Sequence, residues 1–527
     1  MNLVLYTTVC MPKIETVKGK LLESRPESKI FVGFPYNLYE ILGPQLSPDE
    51  LRSAKLLVKA ISRASSLGSL FSSIGVKDQA VSEQFRNGVI NFVDVNNLIN
   101  SIPSAKQVEM LKMAILPMVE TLGIEHKQAF INYVLDYSVG YGDLSLLMSD
   151  PQLEEIMVNG FGRNVFVFHK KFGNCKTNIF VDEKSGVLDT IRRISTTVNK
   201  QFNDLHPLLD ARLPDGSRAN ATFNYVSPFG HTLTIRKFSK IPLSIIDLIA
   251  NNTVDIELAA FLWIMVQGLG FHPMNIIITG GTGSGKTTLM NVLASFIPFE
   301  DRIVSIEDTI ELDLGERENW IQMESKPKIK DVHAVSMDDL LRNTLRMRPD
   351  RIIVGEVRSE EAGTLFVAMD TGHRGILGTL HSNSAREMML RLKNAPMNVP
   401  EQMLPLLDLV IVLERHYTQG SGIVRSIKQV TEVGRMDETV LLSNVYEVDE
   451  KTRQTVKTRV PSSLFEKLAT AAGMAKNELT REMRIRQKIL EFMLEQGIRK
   501  RSEVEALIQH YYFDPESVLK KITVSIE

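Results

Sequence analysis

Cysteine is nearly missing: the 527 residues carry two, Cys10 and Cys175. So distant a pair fits neither a disulfide framework nor a zinc-ligand spacing, and it suits a reducing cytoplasm. Long apolar runs are missing too. The longest, "LAAFLWIMV" from Leu258 to Val266, is about half of the ~20 residues a membrane-spanning helix needs. No direct transmembrane insertion is therefore expected, and membrane association would be peripheral or through a partner. The opening "MNLVLYTTVCMPKIE" has no basic segment ahead of its apolar patch and no small-residue cleavage site, so a secretory signal is not expected. An excess of one charge is also lacking, with Lys and Arg totalling 61 against 63 for Asp and Glu. A chain built to coat nucleic acid carries a strong positive field, so no nucleic acid is expected as partner, and the basic "KPKIK" at Lys326 reads as a solvated loop.

What is present is globular in kind: 43% hydrophobic and 24% charged residues, in a chain long enough for several cores. Residues 1–135 read as a mainly helical N-terminal region, a candidate for partner docking. Ser47, Pro48 and Glu50 supply a capping box for "SPDELRSAKLLVKAISRA", and similar periodicity recurs over Lys106–Leu122 and His126–Val139. The Gly- and Ser-bearing "SSLGSLFSSIG" interrupts it as loop. Residues 136–240 read as an α+β domain. There "NVFVFHKKFGN" and "CKTNIFVDEK" suggest a hairpin, "GVLDTIRRISTTVNKQF" a helix, and "RANATFNYVSPFGHTLTIRKF" further strands. From 241 to 527, apolar strands "NIIIT", "RIVSI", "RIIVGE" and "GILGTL" alternate with helical segments, the signature of an α/β domain around a parallel sheet buried on both faces. "DLVIVLER", "VRSIKQVTEV" and "VLLSNVYEV" would extend that sheet, and the tail from Ser462 is helical.

The most specific stretch is "NIIITGGTGSGKTTLMNVLA". Gly280, Gly285, Lys286 and Thr287 fit G-x-x-x-x-G-K-[ST], with a strand before and a helix after. Successive backbone N–H groups across Gly280, Gly281, Thr282, Gly283, Ser284 and Gly285 would turn toward phosphate oxygens, and the dipole of the following helix, which carries Thr287 and Thr288, favours the same anion. Lys286 is expected to reach the β and γ phosphates of ATP and Thr287 to hold Mg²⁺.

Hydrolysis needs more: a carboxylate for the metal, an oriented water and compensation for developing charge. Glu356 ends the apolar strand in "RMRPDRIIVGEVR", where a parallel sheet presents its ligands, and is the second candidate for the metal. Glu307, Asp308 and Glu311 follow the strand in "RIVSIEDTIEL". Glu307 is the preferred water-orienting base, against the alternative that these acids merely cap or solvate a turn. His373 and His381 bracket the strand "GILGTL" and both are candidates; His381 is at its C-terminal end, where a histidine would sense or stabilise the γ phosphate, against the alternative of a plain hydrogen-bonding residue.

In this order the four stretches resemble the secretion ATPase superfamily, which powers type II and type IV secretion, type IV pili and archaella. There they are the Walker A loop, the Asp box, the Walker B motif and the His box, and "TGHRGILGTLHSNSA" after "RPDRIIVGEVR" is the discriminating signal. The resemblance runs from Gly142 to Tyr446 and implies a RecA-like P-loop ATPase core preceded by an α+β, PAS-like domain. "LDARLPDGSRANATF" and "GHTLTIRKFS" look like the family's second N-terminal domain, which nominates Arg212, Arg218 and Arg236 as phosphate-approaching arginines. The C-terminal helices look most like the archaeal archaellum and pilus branch. The resemblance further implies a cytoplasmic homo-hexamer, peripheral at the inner face of the membrane, working with ATP and Mg²⁺ on a polytopic membrane platform protein through which pilin-like subunits are extruded. The family's tetracysteine module is absent from the sequence, and residues 1–100 match no family pattern. A ring-shaped nucleic-acid motor and a non-catalytic ATP-gated scaffold are the rival readings.

Overall fold

Two units partition the computed structural model of the chain, Met1–Ser239 and Lys240–Glu527. The structure describes residues 17–43, 46–63, 102, positions scattered between 108 and 120, then 122–182, 186–238, 242–326, 334–418, 422–436, 439–449 and 451–524. The "MNLVLYTTVCMPKIE" and "SSLGSLFSSIG" stretches, Cys10 and most of "KPKIK" lie outside the described residues, as does much of Lys106–Leu122.

In the first unit the described strands are β1 (Val17–Ser24), β2 (Ser28–Phe34), β3 (Asn37–Ile41), β4 (Leu153–Asn159), β5 (Arg163–His169), β6 (Gly173–Val181), β7 (Leu208–Arg212), β8 (Arg218–Thr222) and β9 (Thr232–Arg236). They form one sheet in the order β1-β2-β3-β6-β5-β4-β9-β8-β7. Strict alternation in β7, β8 and β9 sends Leu209, Ala211, Ala219, Ala221, Leu233 and Ile235 inward, where they pack with Ile191 and Ile194 of the helix Val187–Thr197.

The expectation of a mainly helical region over 1–135 is corrected for residues 17–41, which are three strands. They join the downstream sheet because β3 pairs in parallel with β6, and because Arg25 and the Tyr39 hydroxyl both reach the Asp150 carboxylate. Beyond them the capping box forms at the helix Pro48–Arg63: Ser47 N donates to Glu50 Oε2 (2.9 Å) and Glu50 N to Ser47 Oγ (3.2 Å). Glu50 Oε1 also accepts from the N–H groups of Glu125 and His126, which ties this helix to the helix Lys127–Ser138.

The second unit carries β10 (Ile276–Gly280), β11 (Ile303–Glu307), β12 (Trp320–Glu324), β13 (Arg351–Val354), β14 (Leu377–Leu380), β15 (Leu409–Thr418), β16 (Gly422–Met436), β17 (Thr439–Val448) and β18 (Thr455–Lys457). Their order is β12-β11-β13-β14-β10-β15-β16-β17-β18. The first six are mutually parallel and the rest add on antiparallel. This is a RecA-like α/β core. Every residue of β10, β11, β13 and β14 is buried, as a sheet covered on both faces requires. β10 separates β14 from β15, so the strand order turns around β10, and the C-terminal ends of β10, β11, β13 and β14 come to one edge, where such sheets bind ligands.

The "LAAFLWIMV" run is buried on all sides in the helix Ile256–Gln267, between the sheet and the C-terminal helices. Trp263 stacks on Phe296 with ring centroids 5.4 Å apart and donates to the Tyr512 hydroxyl, which donates to the Phe296 carbonyl (2.8 Å). Among the described residues no helix is long and apolar enough to cross a membrane.

Candidate nucleotide site

At the end of β10 the backbone turns with φ 153° at Gly280, 71° at Gly283 and 95° at Gly285. At Gly280 backbone leaves no room for a side chain, and at Gly283 the tip of Arg415 would have to move for one. A Cβ on Gly280 would lie 2.5 Å from the Leu413 carbonyl oxygen, and one on Gly283 would lie 2.8 Å from Arg415 Nη1. Gly285 caps the helix Lys286–Leu293 without any side-chain hydrogen bond, so the first-turn N–H groups are left to an external acceptor. Ser284 is 1% exposed and its Oγ has no hydrogen-bond partner, a buried polar atom that calls for one. The half-buried Thr287 and exposed Thr288 continue the first turn. A glycine cradle, a free helix N-terminus and an orphaned hydroxyl together fit a phosphate group.

Lys286 is 7% exposed and folds back on its own loop: Nζ donates to the carbonyls of Gly280 (3.0 Å) and Gly281 (3.2 Å) and lies 3.2 Å from His381 Nδ1. His381 follows β14, and its Nε2 lies 3.3 Å from Glu356 Oε1. Burial and the adjacent Lys286 ammonium hold this imidazole below its ordinary pKa, against the pull of Glu356. A neutral ring accepting at Nδ1 and donating from Nε2 satisfies both neighbours. Glu356 sits just past β13. Burial pushes its carboxyl up, but the Arg358 hydrogen bond and charge, with His381 and Lys286, win and hold it below the usual carboxylate range. Arg358 completes the line, with Nη2 2.5 Å from Glu356 Oε2 and Nη1 3.0 Å from Asp308 Oδ2. One continuous chain of contacts, Lys286–His381–Glu356–Arg358–Asp308, thus crosses the ends of four strands.

Glu307 stands differently from its expected role. It is 1% exposed, and its Oε1 accepts from the N–H groups of Glu311 (2.8 Å) and Leu312 (3.0 Å). Burial raises its pKa to about 7 against those two backbone hydrogen bonds. This is the geometry of a residue holding a turn, not of a base facing water. The half-buried Asp308 and Glu311 are carried on that turn.

A family model for type II/IV secretion system protein matches residues 147–512. The chain is similar to the uncharacterized protein MJ0781 of Methanocaldococcus jannaschii, at 31% identity over 72% of this chain and 76% of that protein. It is also similar to the conjugal transfer protein TrbB of Rhizobium radiobacter, at 30% identity over 55% of this chain and 86% of the relative. Among solved structures, the ATPase DotB of Legionella pneumophila aligns at 21% identity over 68% of this chain and 92% of its own, with a TM-score of 0.40. The chain belongs to the type II/IV secretion system protein family.

Membership in this P-loop ATPase family implies ATP and Mg²⁺ binding and ATP hydrolysis. Of the residues nominated from sequence, Lys286, Thr287, Glu356 and His381 stand at one sheet edge. His373 does not. It precedes β14, at the opposite edge of the sheet, where Nδ1 faces the Ala368 carbonyl (3.2 Å) and the Thr371 hydroxyl (3.4 Å). In the first unit, Arg212, Arg218 and Arg236 form one row across β7, β8 and β9, Arg212 opposite Arg218 and Arg218 opposite Arg236, on the face away from the core. Arg358, Arg415 and Arg425 were not anticipated. Arg358 had a signal in its place two residues after Glu356, whereas the other two lie over 120 residues beyond the loop they touch.

Proposed function

We propose that this protein is an ATP-hydrolysing hexameric motor that powers assembly or secretion of pilin-like filaments through a polytopic membrane platform protein, from the cytoplasmic face. The reading extends to the archaeal branch on the likeness of the C-terminal sequence and on the Methanocaldococcus jannaschii relative. The observation that carries the reading is the contact chain from Lys286 to Asp308, which joins all four motifs.

Lys286 is held by its own loop carbonyls and His381, contacts that phosphate oxygens of a bound triphosphate would replace. Thr287 and Glu356 stand on the two sides of the β10 and β13 ends from which Mg²⁺ would be held. Bound there, the ion supplies charge neutralisation on the transferring phosphoryl group. His381, neutral and touching both Lys286 and Glu356, transmits a change at either to the other. Glu307 fixes the turn bearing Asp308 and Glu311, so the assignment of the water-orienting acid moves from Glu307 to the carboxylates that turn presents. Arg212, Arg218 and Arg236, which share one outward row in the first unit, remain the arginines proposed to approach the phosphates.

Phosphate release by the wild type and by Glu356→Gln, at matched ATP affinity and with assembly state followed by light scattering, tests the reading. A motor requires turnover to fall with Glu356→Gln and a six-fold assembly in ATP. Equal rates, or stimulation by single-stranded DNA alone, would sink it.

A further inference from the structure

We propose that Arg415 is a phosphate-binding residue for the nucleotide held at the glycine loop, and that Arg425 positions that loop; this rests on the function proposed above. The parallel pairing of β10 with β15 sets Gly280 beside Leu413, so Arg415 stands two residues past the strand end, level with the loop. Leu413 and Arg415 share one face of β15, and the Leu413 carbonyl already packs against Gly280. Arg425 lies directly opposite Arg415 across the β15–β16 ladder. Its Nε donates to the Gly283 carbonyl (2.9 Å), and its Cδ lies 3.7 Å from where a Cβ on Gly285 would sit. Arg415 Nη1 comes within 2.8 Å of the corresponding point on Gly283, and the side chain is exposed.

The two guanidinium groups, directly opposite each other on the ladder, bring positive charge and donors to one side of the loop. The adjacent structure is a cradle shaped for an anion. A guanidinium fork matches two phosphate oxygens at once, which a lysine cannot do. The consequence separates these residues from Arg212, Arg218 and Arg236. Those belong to the first unit, whereas Arg415 and Arg425 belong to the same unit as the loop. The second unit thereby carries cations of its own for retaining ADP after hydrolysis.

The test is equilibrium binding of ADP to the full-length protein by calorimetry, for wild type, Arg415→Gln, Arg415→Lys, Arg425→Gln, Arg425→Lys and Lys286→Ala, with nucleotide-free melting temperatures alongside. Loss of a charge-assisted contact predicts that Arg415→Gln binds ADP roughly tenfold to a hundredfold more weakly, with partial recovery in Arg415→Lys and an unchanged melting temperature. Arg425→Gln weakens binding less, and Arg425→Lys restores it. Arg415→Gln binding ADP within twofold of wild type, while Lys286→Ala loses it, overturns this proposal and leaves the motor reading standing. A wild type that binds no ADP overturns both. A fall in the nucleotide-free melting temperature of Arg415→Gln that accounts for the weakened binding assigns the residue to folding and overturns the proposal.

Discussion

His381 Nδ1 lies 3.2 Å from Lys286 Nζ, while the other nitrogen of the same ring lies 3.3 Å from Glu356. A single imidazole therefore joins the residue expected to meet phosphate to the one expected to meet metal. His381→Ala removes the bridge without touching the glycine cradle. Turnover is expected to fall by roughly 10²-fold, the scale for losing one well-placed donor, while ADP affinity stays within a few-fold. Single-turnover hydrolysis beside ADP calorimetry separates the two effects.

Arg358 offers a sharper separation between activity and stability. Its side chain is 54% exposed, and its contacts to Glu356 and Asp308 are those of a partly solvated ion pair, for which stabilities of about 0–1 kcal/mol are usual. Yet the Glu356 hydrogen bond holds the guanidinium above its ordinary pKa, and Arg358 is what keeps two nearby carboxylates in register. Arg358→Ala is expected to leave the melting temperature within a degree or two and to cut turnover at least tenfold. Equal losses in both measurements would give Arg358 a structural role instead.

How much of this was legible follows the range of the interactions. The glycine loop, its flanking strand and helix, and the Ser47–Glu50 capping box are local patterns and are found where the sequence puts them. β1, β2 and β3 were misread as part of a helical region. None of the described side chains of β1 is buried to impose alternation, and the parallel partner of β3 lies more than 130 residues downstream. Of the two histidines flanking "GILGTL", chain direction already puts His381 at the C-terminal end of the strand, and the parallel sheet makes that end the binding edge. Glu307 was singled out as the water-orienting base, but its two backbone partners, four and five residues on, exist only once the turn has formed. Arg415 and Arg425 depend on pairing across the sheet, which no local window contains.

Glu307 should leave a signature in the pH dependence of stability. Its folded pKa of about 7 lies above the 4.5 of an unperturbed glutamate, so between those values the native state binds the proton and the unfolded state does not. Stability then falls as pH rises through that window, and the cost is complete above about pH 7, up to ~3 kcal/mol. Glu307→Gln keeps an oxygen to accept from Glu311 and Leu312 but carries no charge. It is expected to match the wild type near pH 5 and to be the more stable protein at pH 8. A difference in melting temperature that does not grow between those two pH values would contradict the assignment.

The C-terminal helices are the last link, and the pair Arg501–Glu505 tests it. Both side chains are under a tenth exposed; Arg501 Nε and Nη2 each lie 3.2 Å from Glu505 Oε1, and Arg501 Nη1 donates to the Asp313 carbonyl. Asp313 belongs to the segment that begins at Glu307, so the helix Arg501–Phe513 grips the loop that carries the acids. Arg501→Ala leaves the buried Glu505 carboxylate without its hydrogen-bonded partner and with only the positive charge of Arg317 acting on it, a change that costs up to about 3–5 kcal/mol where such pairs have been broken. Replacing both partners, as Arg501→Met with Glu505→Leu, removes the buried charges together and should recover most of that stability. The double variant nevertheless lacks the donor to Asp313. Its turnover is therefore expected to remain low while its ADP affinity and melting temperature approach those of the wild type, because the loop is no longer held against the helix that would carry its movement outward. Full recovery of turnover along with stability would reduce Arg501 to a packing residue and remove the C-terminal helices from the working cycle.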